Sequence, residues 1–239
     1  MHKRIIILFV IGLLCPLSFS SCTTMGTAGG STQNSNMMLN TVQSVLNNGT
    51  QSAFTVFGDS DSFLTNALIE AAMPQKLKDI NQKLQSMGLN HIVEKEKVLI
   101  SEIANSTITT ARPVVKKAIN EMTPQEAISI VSGGQGAATQ YLKNKTHDQL
   151  VSAITPVVNQ QTERLGVNSL LSNALGGNNM LNSILGAVMG TNDAASSTTD
   201  MLQSAITNQL VDGMFNIVED VERDARQNPG TVLNAILMN

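Results

Sequence analysis

Residues 122–146 read Met122-Thr-Pro-Gln-Glu-Ala-Ile-Ser-Ile-Val-Ser-Gly-Gly-Gln-Gly-Ala-Ala-Thr-Gln-Tyr-Leu-Lys-Asn-Lys-Thr146, and this stretch decides the fold. Thr123 is a good N-cap, Pro124 suits the first helical position, and Glu126 completes a capping box with Thr123. Ala127, Ile128, Ile130 and Val131 then supply an apolar helix of about two turns. Gly133 or Gly134 is placed to end it in a left-handed cap. Ala137 to Leu142 predicts a second short helix, with Lys143 and Lys145 in its last turn, where positive charge suits the helix dipole. Thr146 is then the expected cap of the next helix, with Gln149 three residues on.

Long helical patterns flank this corner. Met37 to Phe57 carries apolar residues at helical spacing (Met38, Val42, Val45, Leu46, Ala53, Phe54, Phe57), with Gly49 as a weak point. Pro74 to Met87 presents Leu77, Ile80, Leu84 and Met87 on one face, and Gly88 closes it. Asn90 opens a segment reaching Asn120, in which Pro113 is expected to kink or break the helix near Thr109. Thr146 to Leu165 places Leu150, Val151, Ile154, Val157, Val158 and Leu165 on a buried stripe, with a kink at Pro156. The strongest pattern is Leu202, Ile206, Leu210, Met214, Ile217, Val221 and Ala225, capped by Thr199 or Asp200 and stopped by Asn228-Pro229-Gly230. Glu219–Arg223 and Glu222–Arg226 read as solvated i,i+4 pairs worth about 0.2–0.5 kcal/mol each. Residues 167–190 read as an uncharged apolar hairpin, either two core helices or an exposed flap. Val232 to Leu237 reads as a small apolar turn. The expected fold class is all-α: a single irregular multi-helix bundle of kinked antiparallel helices.

One resemblance emerges from these residues. Met-Thr-x-x-x-Ala, then Gly133, Gly134, Ala137, Ala138, Thr139 and Tyr141, then a basic residue and Thr146, is similar to the bacterial envelope family known as domain of unknown function 4197. Pro74, Leu77 and Gly88-Leu89, Pro156-Val157-Val158, and Thr207, Asp212, Gly213, Met214, Phe215, Glu222, Arg226 and Asn228-Pro229 follow the same family. The likeness spans roughly residues 39–237, with a gap near 173–198. An Asn-Arg-Ala-Ala-Glu run expected near position 103 is replaced by Ser101-Glu102-Ile103-Ala104-Asn105, and a Tyr expected two residues before Thr207 is Ala205. The resemblance implies a helical fold and a lipoprotein. It brings no activity, and the role of the motif residues stays open.

The N-terminus agrees with that implication. His2, Lys3 and Arg4 precede an apolar run from Ile5 to Leu14, too short for the ~20 residues that span a bilayer. Small residues at 20 and 21 before Cys22 suit signal cleavage, and the Cys looks like a lipobox, with Phe19 where Leu is usual. Residues 1–21 are thus the expected lipoprotein signal, 22–36 a flexible Gly/Ser/Thr/Gln/Asn tether from lipidated Cys22, and 37–239 the helical domain. Cleavage there would remove Cys15 and leave a single Cys, so no intrachain disulfide is expected. Thr23 rather than Asp follows Cys22, so by resemblance to outer-membrane lipoproteins the expected location is the outer membrane, facing the periplasm.

Composition narrows the function. A net charge of −3 over 239 residues gives no electrostatic case for nucleic acid. The Asp59/Asp61 loop lacks the Gly and final Glu of an EF-hand and reads as a helix-capping loop. His91 and Glu94 lie one turn apart without the repeats a di-metal bundle needs, so no metal or cofactor is expected. Gly133-Gly134-Gln135-Gly136 is not a Walker loop, although the helix start after Gly136 could hold a phosphate or carboxylate. Strand-like alternation is absent, which argues against an α/β enzyme. Three readings remain, in this order: a non-enzymatic structural or partner-docking module, a binder of a lipid or other apolar ligand, and an enzyme using Tyr141, Thr139, Lys143 or the Glu222–Arg226 pair.

Overall fold

The computed structural model describes residues 29–166, 169 and 195–230. The signal segment, Cys22, nearly all of the 167–190 hairpin and the C-terminal apolar turn lie outside the described residues. Those described form eight helices: α1 Gly29–Gly58, α2 Ser60–Thr65, α3 Ala67–Ala71, α4 Gln75–Ser86, α5 Asn90–Asn120, α6 Pro124–Ser132, α7 Ala137–Arg164 and α8 Ala195–Gln227. The fold is all-α, as the periodicity predicts.

Four long helices close a ring: α1 packs on α5 and α8, and α7 packs on the same two from the other side. α1 and α5 run antiparallel. Gln43 Nε2 donates to the Ile119 carbonyl at 2.9 Å, Arg112 donates to Gln51 Oε1 at 3.1 Å, and Ser60, just past α1, meets Ser101 at 2.7 Å. α7 and α8 are also antiparallel, since Thr139 meets Glu222 while Lys143, further along α7, meets Asp212. The short helices seal the ring: α6 lies on α1, α3 on α8, and α4 on α5.

The buried stripes follow the helical period. Leu46, Ala53, Phe54 and Phe57 of α1 face Ile103, Ala104, Ala111 and Val115 of α5 inside one core. α8 is buried more widely than its stripe predicts, because three helices surround it. Val211, Phe215 and Val218 are buried beside Leu210, Met214 and Ile217. Gly49, which weakens α1 as a helix, lies where α1 and α8 come close. A Cβ there would stand 3.1 Å from the Val218 Cα.

Several local expectations are corrected. α1 already begins at Gly29, inside the stretch read as tether. The two helices expected on either side of Thr146 are one helix, α7. Thr146 is fully inside it, and its hydroxyl donates to the Leu142 carbonyl at 2.7 Å instead of capping. Thr199 and Asp200 likewise fall within α8. Pro113 lies inside α5 without ending it, and Pro156 lies inside α7. Met87 is 39% exposed and leaves the α4 stripe.

Candidate functional site

The motif residues converge on the corner between α6 and α7. Thr123 caps α6, with its Oγ1 accepting from the Glu126 N–H at 3.3 Å and its own N–H donating to Glu126 Oε2 at 2.8 Å. This is the capping box read from the sequence. The end of α6 differs from expectation. Gly133 is extended (φ −74°, ψ 167°), and the left-handed residue is Gly136 at φ +81°. Gly136 is the N-cap of α7, and it has no side chain to offer the orphan N–H groups of the first turn.

Glu222 supplies what Gly136 lacks. Its carboxylate accepts from the Ala138 N–H at 3.0 Å, the Thr139 N–H at 2.8 Å and the Thr139 hydroxyl at 2.8 Å. It therefore caps α7 from 84 residues away in sequence. Arg226, one turn further along α8, binds Glu222 Oε1 at 2.8 Å and donates to the Ile130 carbonyl at 3.1 Å. The two broken helix ends of the corner are thus satisfied by one i,i+4 pair. The reading of that pair as a solvated face is overturned, for Glu222 is 1% exposed. Burial pushes its pKa up, but the donors from Ala138, Thr139 and Arg226 outweigh that and hold it below the usual value. The second expected pair does not form as read: Arg223 takes Asp220 as its partner. The anion site considered after Gly136 is filled by a carboxylate of the chain itself.

A second clasp joins α7 to α8. Lys143 pairs with Asp212 at 2.8 Å and lies 5.7 Å over the buried Phe215 ring, on which His147 stacks at 6.5 Å. Gly213, in the next position of α8, lets α3 approach: a Cβ there would come within 2.7 Å of Ile69 Cδ1.

Beside the corner lies an open groove of about 440 Å³, lined by Gln125, Glu126, Ser129, Tyr141, Asn144 and Lys145. Tyr141 donates to Glu126 Oε2 at 3.2 Å, and Lys145 pairs with Glu126 Oε1 at 3.0 Å. The Thr123 N–H, with help from Lys145, holds the Glu126 carboxyl down at about 2. Burial, then the Glu126 charge, pushes Tyr141 up to about 12. Ile128 and Val131, read as part of an apolar helix, point outward from α6 and are 38% and 42% exposed. Gly134 lies in the turn between α6 and α7, with Ala137 and Ala138 opening α7.

The other candidates stay apart. His91 and Glu94 are exposed, and Asp59 caps α2 through the Ser62 N–H at 2.8 Å. Among the described residues no group of His, Cys, Asp and Glu could hold a metal, and no helix is long and apolar enough to cross a membrane. Sequence reasoning passed over Glu96, which is 2% exposed in α5. Its signal was position: Val93, Glu96 and Ile100 share one helical face.

The family model for DUF4197, a protein of unknown function, matches residues 32–239. The chain belongs to this family. No curated protein and no solved structure matches it. Within this DUF4197 member, Ala138, Thr139, Glu222 and Arg226 form a single hydrogen-bonded unit, although the sequence holds them in two distant blocks.

Proposed function

We propose that this DUF4197 chain is an envelope lipoprotein, tethered to the outer membrane through lipidated Cys22. Its helical domain faces the periplasm as a non-enzymatic structural or partner-docking module. One observation carries the reading: the ionisable motif residues are engaged with one another or with helix ends. Glu222 and Arg226 hold the α6–α7 corner, Lys143 and Asp212 hold α7 to α8, and Tyr141 and Lys145 converge on Glu126. A tyrosine held protonated and a carboxylate held ionised are poorly matched to proton transfer near neutral pH. The same bonds stiffen a platform whose outer face carries Ile128 and Val131 beside the open groove. The runner-up reading, a carrier for a lipid or other apolar ligand, has less support among the described residues. One apolar recess among them, between α2, α3, α5 and α8, measures about 30 Å³.

The test has two parts. Cys22→Ala should move the protein from the membrane pellet to the soluble periplasmic fraction; continued sedimentation would sink the anchor. A photocrosslinking residue at position 128 or 131 should give a discrete adduct in intact cells that position 91 does not. Equal labelling at all three positions, or none, would remove the docking face.

A further inference from the structure

An acidic side chain without a cation lies under α4, away from the motif corner. Glu96 of α5 is 2% exposed, and its Oε2 accepts no hydrogen bond. Asn81 of α4 lies against the Glu96 carboxyl and is also buried. The Asn81 Nδ2 points to the Met73 sulfur at 3.8 Å, and its Oδ1 has no partner either. While the carboxyl is ionised, these two buried oxygens are both acceptors. A proton on the carboxyl makes them complementary, because the acid O–H then has the amide oxygen as its acceptor.

The surrounding charges do not neutralise Glu96. Among the described residues it forms no ion pair. Lys97, next to it in α5, favours its charge only through space. Glu70 of α3 and Lys78 of α4 line the open hollow beside Asn81, together with Lys97. α8 brings the neutral Gln209 to the adjoining recess. α1 carries no charged residue, and Asp61 of α2 and Glu163 and Arg164 of α7 are exposed. Burial therefore dominates and raises the carboxyl to about 7. α4 is the element free to respond. It packs on α5, which α1, α2 and α7 hold independently. Leu77, Ile80 and Leu84 form its apolar seam, and Asn81 is the polar residue buried among them. No side chain caps the start of α4 at Pro74, and a left-handed Gly88 at φ +78° follows its end.

We propose that Glu96 is a proton-operated latch on α4: protonated, it fastens α4 to α5 through Asn81, and ionised, it drives α4 to open about Pro74 and Gly88 so that water reaches the carboxylate. A buried carboxylate with no cation and no donor gains more from hydration than the short seam gains from staying closed. Opening uncovers Leu77, Ile80 and Leu84, an apolar face that the closed form hides. A carboxyl raised by burial keeps its stabilising proton below its open-state value and loses it as pH rises through the closed-state value. Opening therefore becomes more frequent between about pH 5 and about pH 8. The latch shares no residue with the α6–α7 groove, so it is independent of the docking face.

Hydrogen exchange of the full-length chain is the test, read by mass spectrometry at about pH 5 and about pH 8 with labelling times scaled to the intrinsic exchange rate. Protection across α4, Gln75–Ser86, should fall at least about tenfold from the lower pH to the higher. Peptides from the buried stretches of α1 and α8 should keep theirs. Glu96→Gln stays neutral at both values and should hold α4 protection within about twofold. The wild-type comparison decides the matter even if that variant folds poorly. Unchanged protection in wild-type α4, an equal loss in every helix, or the same loss in Glu96→Gln overturns the proposal.

Discussion

Replacing Glu96 with Gln should stabilise this protein, and the gain should grow as pH rises through neutrality. Burial raises the Glu96 carboxyl from 4.5 to about 7, and the nearby Lys97 charge and Asn81 side chain only partly oppose it. A carboxyl raised on folding holds its proton more tightly in the native state than in the unfolded chain. Its stabilising proton is fully present below the unfolded value and is lost as pH climbs through the folded one. The interval from 4.5 to about 7 corresponds to roughly 3 kcal/mol, at about 1.4 kcal/mol per pH unit. The substituted amide carries no titrating proton to lose, and it could donate to the unpartnered Asn81 Oδ1. Urea unfolding of both proteins at about pH 5 and about pH 8 reads the difference directly, since other titrating groups cancel between them. The variant should match the wild type near pH 5 and exceed it by about 2–3 kcal/mol near pH 8. A difference that changes by less than about 1 kcal/mol between the two conditions would refute the burial argument.

Two further perturbations test the corner. Glu222→Ala leaves Arg226 without its carboxylate and the Ala138 and Thr139 N–H groups without their acceptor, which should cost about 3–5 kcal/mol in thermal unfolding; a loss below about 1 kcal/mol would show that the corner holds without it. The wild-type contribution should persist at neutral pH and fade as pH drops from the usual carboxylate value through the lowered one, so the gap to Glu222→Ala should narrow in acid. Gly136→Ala forces a side chain into a backbone at φ +81° and brings its Cβ to 3.3 Å from Glu219 Oε1. It should cost about 1–2 kcal/mol in the same assay, and no loss would mean the turn can adopt another conformation.

The fold was legible because local rules and tertiary packing agree over most of the chain. Most of the α1 and α8 stripes is buried where the period puts it, with Met38, Val45, Val221 and Ala225 half-buried. The Thr123–Glu126 capping box depends only on local chain geometry, and it forms as read. The misread polar residues share a cause: the local pattern does not reveal what surrounds each of them. Thr146 has the right chemistry for a cap, but the helix already runs through it, so its hydroxyl turns back to Leu142. Glu222 and Arg226 satisfy the spacing of a surface pair, and nothing nearby in sequence distinguishes a surface pair from a buried one. Glu96 interrupts an apolar face, and trusting the face over the residue type would have placed it correctly.

The distribution of glycine and glutamate across the corner explains why the two motif blocks belong together. A left-handed Gly136 permits the sharp turn from α6 into α7, but a glycine N-cap has no side chain to accept from the Ala138 and Thr139 N–H groups. Those N–H groups are buried, so they require an acceptor from elsewhere. A neutral acceptor would suffice geometrically. A carboxylate also answers the positive end of α7, and Arg226 then neutralises it while satisfying the carbonyl end of α6. The turn that Gly136 makes possible therefore demands Glu222, and burial of Glu222 demands Arg226. Residues 84 positions apart form one unit because the α6–α7 corner closes only when α8 docks against it.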